Sequence, residues 1–291
     1  MPARPGPGAV FLLTDYGTVD EFAGLLRAVV ARMAPGVPLV DLTHDIPRFD
    51  VRAGALALER AVPHLGPGVV LGVVDPGVGT GRRAVALAVG PSGPSGSEEG
   101  THPTAMVGPD NGLLVWAAGA LGGITAAVSL PHPAGAAATF DGRDVFAPAA
   151  AALVRGTPLE ALGEPLTVDD LVRLPAPRRV LGAGRIETEV LWVDRFGNVQ
   201  LAADGDDGRM SGLLDSDIVE LLVRDTVHRV RVARAFGDLA GWDGLGVLLD
   251  ANGRLAIVCN QRSAATVLGM QAGETVTLRL PERDATSGGA T

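Results

Sequence analysis

The chain has 291 residues, enough for one large domain or two of ordinary size. With 47% hydrophobic and 20% charged residues it can bury a sizeable core, which excludes disorder and low complexity for most of its length. Lys and Arg number 24 against 33 Asp and Glu, a formal net charge of -9 that argues against nucleic acid or an acidic membrane face as the main partner.

Residues 1–8 lack the charged-then-apolar layout of a signal peptide, and no uncharged apolar stretch has the length of a spanning helix. The single cysteine, Cys259, rules out a disulfide framework and a cysteine-based zinc site. These features predict a soluble cytoplasmic protein.

Residues 9–14 form a short apolar run, readable as a buried strand. Over 19–33, Phe22, Leu25, Leu26, Val29 and Val30 recur at helical spacing, and Pro35-Gly36 stops the helix. Residues 38–43 repeat the strand signal, Asp50 caps a helix from 51 to about 62, and 68–74 (GVVLGVV) is another strand run. This alternation predicts an α/β layer with a parallel sheet. Further strands are expected at 84–89 and 105–107, separated by a Gly/Ser/Pro-rich stretch at 90–103 that reads as a mobile surface insertion. A strand at 124–130 and a helix at 143–154 follow, with Pro148 early enough in that helix to be tolerated.

Beyond Pro175 the pattern changes. Short β-type runs at 185–193, 199–201, 218–223, 226–235, 246–249, 255–259 and 275–280 are punctuated by turn pairs such as Asp204-Gly205 and Asn252-Gly253. They predict a small all-β barrel or sandwich, joined through a linker at 175–184 (PAPRRVLGAG). The expected organisation is therefore an N-terminal α/β domain with a largely parallel sheet, residues 1–175, and a C-terminal all-β, barrel-like domain, residues 176–291. The small, polar tail at 285–291 is expected to fray.

The glycine-rich 77–81 stretch follows a strand but precedes Arg82-Arg83 and another strand run. It reads as a strand-to-strand turn, since a dinucleotide fingerprint must open a helix. More informative are polar clusters at strand ends: residues 14–18 with Asp20, then Thr43-His44-Asp45, then Asp75-Pro76-Gly77 with Arg82 seven residues after Asp75. Ligands of open α/β sheets bind outside the carboxyl ends of the strands. Acidic groups at three such ends outline a site for something cationic or rich in hydroxyls. Taken singly, each is also an ordinary turn or cap residue.

Seven ordered blocks carry a family resemblance. They are Thr14-Asp15 with Gly17, Thr18 and Asp20; 42–46 (LTHDI); 73–80 (VVDPGVGT); 107–113 (VGPDNGL); 142–148 (GRDVFAP); Asp194 with Phe196-Gly197-Asn198; and Asn260-Gln261 with Ser263-Ala264-Ala265. Together they resemble the S-adenosyl-L-methionine (SAM) hydroxide adenosyltransferases, adenosine-forming SAM hydrolases related to the fluorinase and chlorinase enzymes. The likeness runs from about residue 9 to 280. It implies an N-terminal α/β domain, a C-terminal β-barrel and a homotrimer with SAM between neighbouring subunits. The implied reaction is attack of water or hydroxide on C5′ of SAM to give adenosine and L-methionine, with SAM as substrate and neither cofactor nor metal.

The resemblance also assigns roles. Asp15 holds the ribose 2′ and 3′ hydroxyls, Asp20 lies near the methionine end, and Phe49 stacks in the pocket. Asp194 meets the substrate amino group, Phe196 packs on the adenine or the substrate tail, Asn198 bonds the adenine edge, and backbone around Ser263 and Ala264 completes the base pocket. The residues alone leave other readings open: Asp194 and Asn198 can fix a hairpin, and Phe49 can belong to the core. Asp75 and Arg82 match two members of the family's Asp-Arg-His water-activating set. A guanidinium beside a bound water favours hydroxide, and a carboxylate orients the water or takes its proton. The halogenases carry a tyrosine in place of this aspartate, and a carboxylate would repel a halide, so Asp75 argues against halogenation.

The chain departs from the family at the third member. Relatives read Phe-His-Gly-Arg-Asp where this sequence has 140–144 as FDGRD. Asp141 either replaces the histidine, since two carboxylates near one water raise the pKa of one of them and make a better base, or N-caps the following helix. If nothing substitutes, the chain is either a slow hydrolase or a non-catalytic SAM- or adenosine-binding protein. His132, nine residues upstream in a Pro/Gly/Ala loop, is not expected to take the role. His44 is expected to brace its loop, and His64 and His228 to be surface or packing residues.

Overall fold

An apolar run flanked by other apolar runs can be buried on both faces of a sheet. The first such run becomes β1 (Ala9–Thr14) in the computed structural model, which describes residues 8–90 and 103–281. It is followed by α1 (Phe22–Met33), β2 (Leu39–Thr43), α2 (Val51–Ala61), β3 (Gly68–Val73), β4 (Ala84–Val89), β5 (Pro103–Pro109), α3 (Val115–Ala120), β6 (Ile124–Leu130), α4 (Ala147–Val154) and β7 (Glu164–Leu166). The strands form one sheet in the order β2-β1-β3-β5-β4-β6-β7. Pairings from β2 to β5 are parallel and the rest antiparallel, so five strands share one direction while β4 and β7 oppose them.

Alternation along β1 sends its side chains to both faces. Leu12 joins a core with Leu26 of α1, Leu71, Val107 and Phe146, whereas Leu13 lies near Gly54 of α2 on the other face. Asp50 caps α2 through a bond from the Ala53 amide at 2.9 Å, as its position suggested. Two helix boundaries differ from expectation. Residues 15–21 stay outside α1, held as a loop partly by the Gly17 amide on the His44 carbonyl at 2.7 Å. The expected helix at 143–154 is split into a π-helical turn, Gly142–Phe146, and α4. Pro148 lies at the junction of the two, one residue after the Ala147 amide that bonds the Gly142 carbonyl five residues back.

The direction of β4 matters for the site. β3 ends at Val73 and β4 starts at Ala84, which pairs with Pro109 at the end of β5. The 74–83 loop therefore leaves and re-enters the sheet at one edge, the edge where β1 also ends. The glycine-rich stretch is a succession of turns within this loop, as expected.

The second unit, parting from the first between Pro175 and Ala176, contains β8 (Arg179–Gly182), β9 (Arg185–Val193), β10 (Val199–Asp204), α5 (Gly205–Met210), β11 (Ile218–Val223), β12 (Thr226–Val232), β13 (Leu245–Leu249), β14 (Arg254–Cys259), α6 (Ala264–Leu268) and β15 (Thr275–Arg279). The order β10-β14-β13-β12-β11-β15-β9, with β10 also paired to β9, closes seven strands into a barrel, and β8 adds to the outside of β9. The interior is apolar, with Ile186, Leu201, Val219 and Ile257 among its fully buried members.

Part of the expected linker is thus strand: Val180 and Leu181 pair with Glu187 and Ile186. The Asp204-Gly205 pair starts a helix rather than a turn. Asp204 accepts from the amides of Asp206 and Asp207, and the Asp207 carboxylate returns a bond to the Asp204 amide. The expected insertion at 90–103 and the tail at 285–291 fall almost wholly outside the described residues.

Candidate active site

At the carboxyl edge of the first sheet lies a cleft of about 350 Å³. The loop after β1 supplies Asp15, Tyr16 and Asp20, the loop after β3 supplies Asp75, and the segment before the π turn supplies Phe140 and Asp141. Asp45, after β2, is exposed and not among the cleft residues; its amide donates to Thr43 Oγ1 at 3.0 Å in a local turn.

The floor is an ion cluster. Arg82 forks onto Asp75, with Nε on Oδ1 at 3.1 Å and Nη2 on Oδ2. The same Nη2 donates to Asp141 Oδ2 at 2.6 Å, and Nη1 donates to the Arg83 carbonyl at 3.0 Å. The side chains of Arg82, Asp75 and Asp141 are only 8%, 6% and 2% exposed, and the guanidinium lies 5.4 Å from the Phe146 ring centre. Two carboxylates against one guanidinium leave one negative charge over in a site with little solvent. Burial accordingly pushes the Asp75 carboxyl above the usual carboxylate range; the Asp141 charge adds to the shift and Arg82 opposes it.

Asp141 makes no capping bond to the helix that follows it, so the capping alternative is set aside. Its second oxygen, Oδ1, lies 3.1 Å from His132 Nε2. The loop carrying His132 folds back to bring its imidazole onto Asp141 from the solvent side, a contact the sequence reading did not foresee. Proximity in space across nine residues of loop has no local sequence signal.

Tyr16, Phe22 and Phe140 form the apolar wall, with ring centres 5.3 to 5.9 Å apart. Burial pushes the Tyr16 phenol well up, and the carboxylates of Asp15, Asp75 and Asp141 push the same way, so it remains a neutral hydroxyl. The chain at Gly142 runs against that phenol: a Cβ there would sit 2.4 Å from the Tyr16 oxygen. Sequence reasoning passed over Tyr16 and Phe140, although both lie inside or beside the blocks it singled out.

At the rim, Phe49 is 70% exposed and has φ 67°, a left-handed conformation unusual for a bulky residue. Its amide is held by Asp15 Oδ2 at 2.9 Å. The core alternative for Phe49 is therefore excluded. Asp20 is also exposed on this rim. His44 does brace its loop, with Nδ1 on Thr14 Oγ1 at 2.9 Å and Nε2 3.2 Å from Asp41.

The barrel unit carries a second concavity of about 610 Å³, lined by Phe196, Asn198, Phe236, Gln261 and Ser263 among others. Asp194 organises the turn from β9 to β10. Its Oδ1 accepts from the amides of Phe196 and Asn198 at 2.8 and 2.9 Å, and its Oδ2 accepts from the Asn198 side chain at 2.8 Å. The hairpin-fixing reading of Asp194 is thus realised, and its carboxylate is not in the concavity lining. Gly197 has φ 83°, and a Cβ on it would fall 2.0 Å from Ser263 Oγ, so this turn docks on the start of α6. Ser263 caps α6 through the Thr266 amide at 3.0 Å, while the Ala264 side chain is buried in the barrel core. Phe196 projects outward, 74% exposed.

Among the described residues, no group of three or more His, Cys, Asp or Glu side chains is arranged to hold a metal ion, and no helix is long and apolar enough to cross a membrane.

Residues 10–163 match the family model for the SAM hydroxide adenosyltransferase N-terminal domain, and residues 188–277 match that for the C-terminal domain. The chain belongs to this family. A Salinispora tropica protein named (R)-S-adenosyl-L-methionine hydrolase is 44% identical over 265 residues, covering 90% of this chain and 94% of the relative. A Thermus thermophilus protein of the same name is 40% identical, covering 92% and 98%. The crystal structure of an uncharacterized conserved protein from Thermotoga maritima superposes with a TM-score of 0.80 at 31% identity, over 93% of this chain and 99% of the other. For this adenosyltransferase-family chain the mixed α/β unit and closed barrel agree with the expected fold class.

Proposed function

We propose that the protein hydrolyses SAM by attack of water on C5′, releasing adenosine and L-methionine. The observation that carries the reading is the buried Asp75–Arg82–Asp141 cluster at the floor of a cleft, in a chain 40–44% identical to SAM hydrolases.

The chemistry asks little of the protein beyond placement. A sulfonium leaves as a neutral thioether, so the task is to set a water in line behind C5′ and to exclude competing water. Oxygen bonds to C5′ as the C5′–S bond breaks, the bonding pair passes to sulfur, and the water's proton goes to the carboxylate pair. One surplus negative charge makes the cluster a proton acceptor, and the Asp75 carboxyl, raised by burial, is the stronger base for it. Arg82 bridges the two carboxylates through Nη2, offsetting their mutual repulsion, and stabilises the developing hydroxide. Asp15 and Asp20 face the ribose and the methionine end, and the carboxylates favour a cationic substrate.

Asn198, Phe196 and backbone around Ser263 and Ala264 form the base-binding surface, with Asp194 shaping it through the turn it holds. Phe49 in the first unit and Phe196 in the second remain exposed, which supports a pocket completed by neighbouring copies in a homotrimer. SAM is the substrate and no further cofactor is called for; neither nucleic acid nor membrane has a role. SAM and the unpaired, buried Cys259 suit the cytoplasm. A carboxylate at the nucleophile's position disfavours a halide, so hydrolysis is favoured over halogenation.

The test is incubation with SAM in ¹⁸O-labelled water. Adenosine carrying ¹⁸O at the 5′ oxygen, with equimolar methionine, is expected; intact SAM, or adenosine without label, would overturn the proposal.

A further inference from the structure

We infer that His132 is a positioning residue for the water-activating cluster, acting through Asp141 and sensing protons from the solvent side. The inference rests on the hydrolase reading above. Each oxygen of Asp141 has its own partner: Oδ2 takes the Arg82 bond at 2.6 Å, and Oδ1 faces His132 Nε2 at 3.1 Å. A carboxylate with one partner can rotate about its terminal torsion; one gripped on both oxygens cannot. Asp141 is 2% exposed and His132 is 50% exposed, so the pair runs from the dry floor of the cleft to bulk solvent.

The charges around the pair set the sense of the effect. Asp141 is the carboxylate that faces His132 among the described residues, and behind it stand Arg82, Asp75 and the neutral Tyr16 phenol. The remaining charges on the π turn, Arg143 and Asp144, pair with each other at 2.7 Å. With His132 neutral, the cluster keeps its surplus negative charge and accepts the proton of the attacking water. With His132 protonated, its charge balances the surplus carboxylate and the cluster is a poorer acceptor for the water's proton. A proton on an exposed imidazole thereby lowers turnover without touching the substrate.

The experiment compares wild type, His132→Ala and His132→Gln in adenosine formation across pH, with kcat and KM resolved. His132→Ala is expected to lose kcat by roughly 10- to 100-fold with KM within about twofold, the usual cost of an outer partner. Glutamine can still donate to Asp141, so His132→Gln should recover most of kcat while removing one ionisation from the acid limb. Added imidazole should partly restore His132→Ala, because the site opens to solvent. Variants with wild-type kcat and pH profile would overturn the inference while leaving the hydrolase reading intact. Loss of kcat that neither glutamine nor imidazole restores would also overturn it, as a purely structural effect. Wild-type protein that forms no adenosine would overturn the hydrolase reading itself, and the inference with it.

Discussion

Replacing Arg82 with alanine tests the electrostatics of the cleft floor most directly. The substitution removes the guanidinium shared by Asp75 and Asp141 and leaves two carboxylates, 6% and 2% exposed, facing each other without it. Breaking a buried pair by deleting one partner costs about 3–5 kcal/mol, chiefly because the remaining charge is stranded. With a slope of about 2 kcal/mol per molar urea, the midpoint should fall by roughly 1.5 to 2.5 M at neutral pH.

The pH dependence distinguishes this from lost packing. Burial already raises the Asp75 carboxyl in the folded state and Arg82 opposes that rise, so removing Arg82 raises it further. A carboxyl raised above its unfolded value costs stability while it is ionised, and the cost fades as pH falls through the folded value. The gap between variant and wild type should therefore shrink as pH falls from about 7.5 toward about 5. Urea unfolding followed by Trp116 fluorescence, in a Trp192→Phe/Trp242→Phe background, reports the first unit alone. An equal gap at both pH values would refute the charge argument.

Asp75→Asn keeps the shape of the site and removes the proposed base; kcat should fall by about 10² to 10⁴ with SAM affinity little changed, as measured by adenosine release and calorimetry. In the wild-type enzyme the acid limb of kcat should lie above the range of an ordinary exposed aspartate, because the base must be unprotonated and burial raises Asp75; a limb within that ordinary range would contradict the assignment. Gly197→Ala introduces a side chain at φ 83° and 2.0 Å from Ser263 Oγ, so the barrel should lose about 2 kcal/mol or more, visible as a lowered melting temperature with weakened SAM binding.

Much of the fold was legible because the signals were local. The runs at 124–130 and 218–223 carry their own periodicity and became β6 and β11 with the expected bounds. What escaped was decided by partners far along the chain. Residues 179–182 are strand because β9 offers them a free edge, not because of their own composition, and the barrel closes through a β9–β10 pairing no single run announces. The same division holds at the cleft. Asp75 and Arg82 were readable together, lying seven residues apart at a strand end. The role of Asp141 had two readings that only its side-chain direction separates, and His132 entered through the path of a loop.

The reversed direction of β4 has a consequence for how the cleft assembles. Because the chain leaves β3 and re-enters at the same edge, Asp75 and Arg82 are joined by a closure of only seven residues, which is entropically cheap. Their pairing can form with the strands themselves. Asp141 is 59 residues further on and arrives only when the π turn and α4 dock onto the sheet. The loop-closure cost is therefore smaller for the neutral ion pair than for the carboxylate that adds the surplus charge, so the basic character of the floor depends on the longer-range contact.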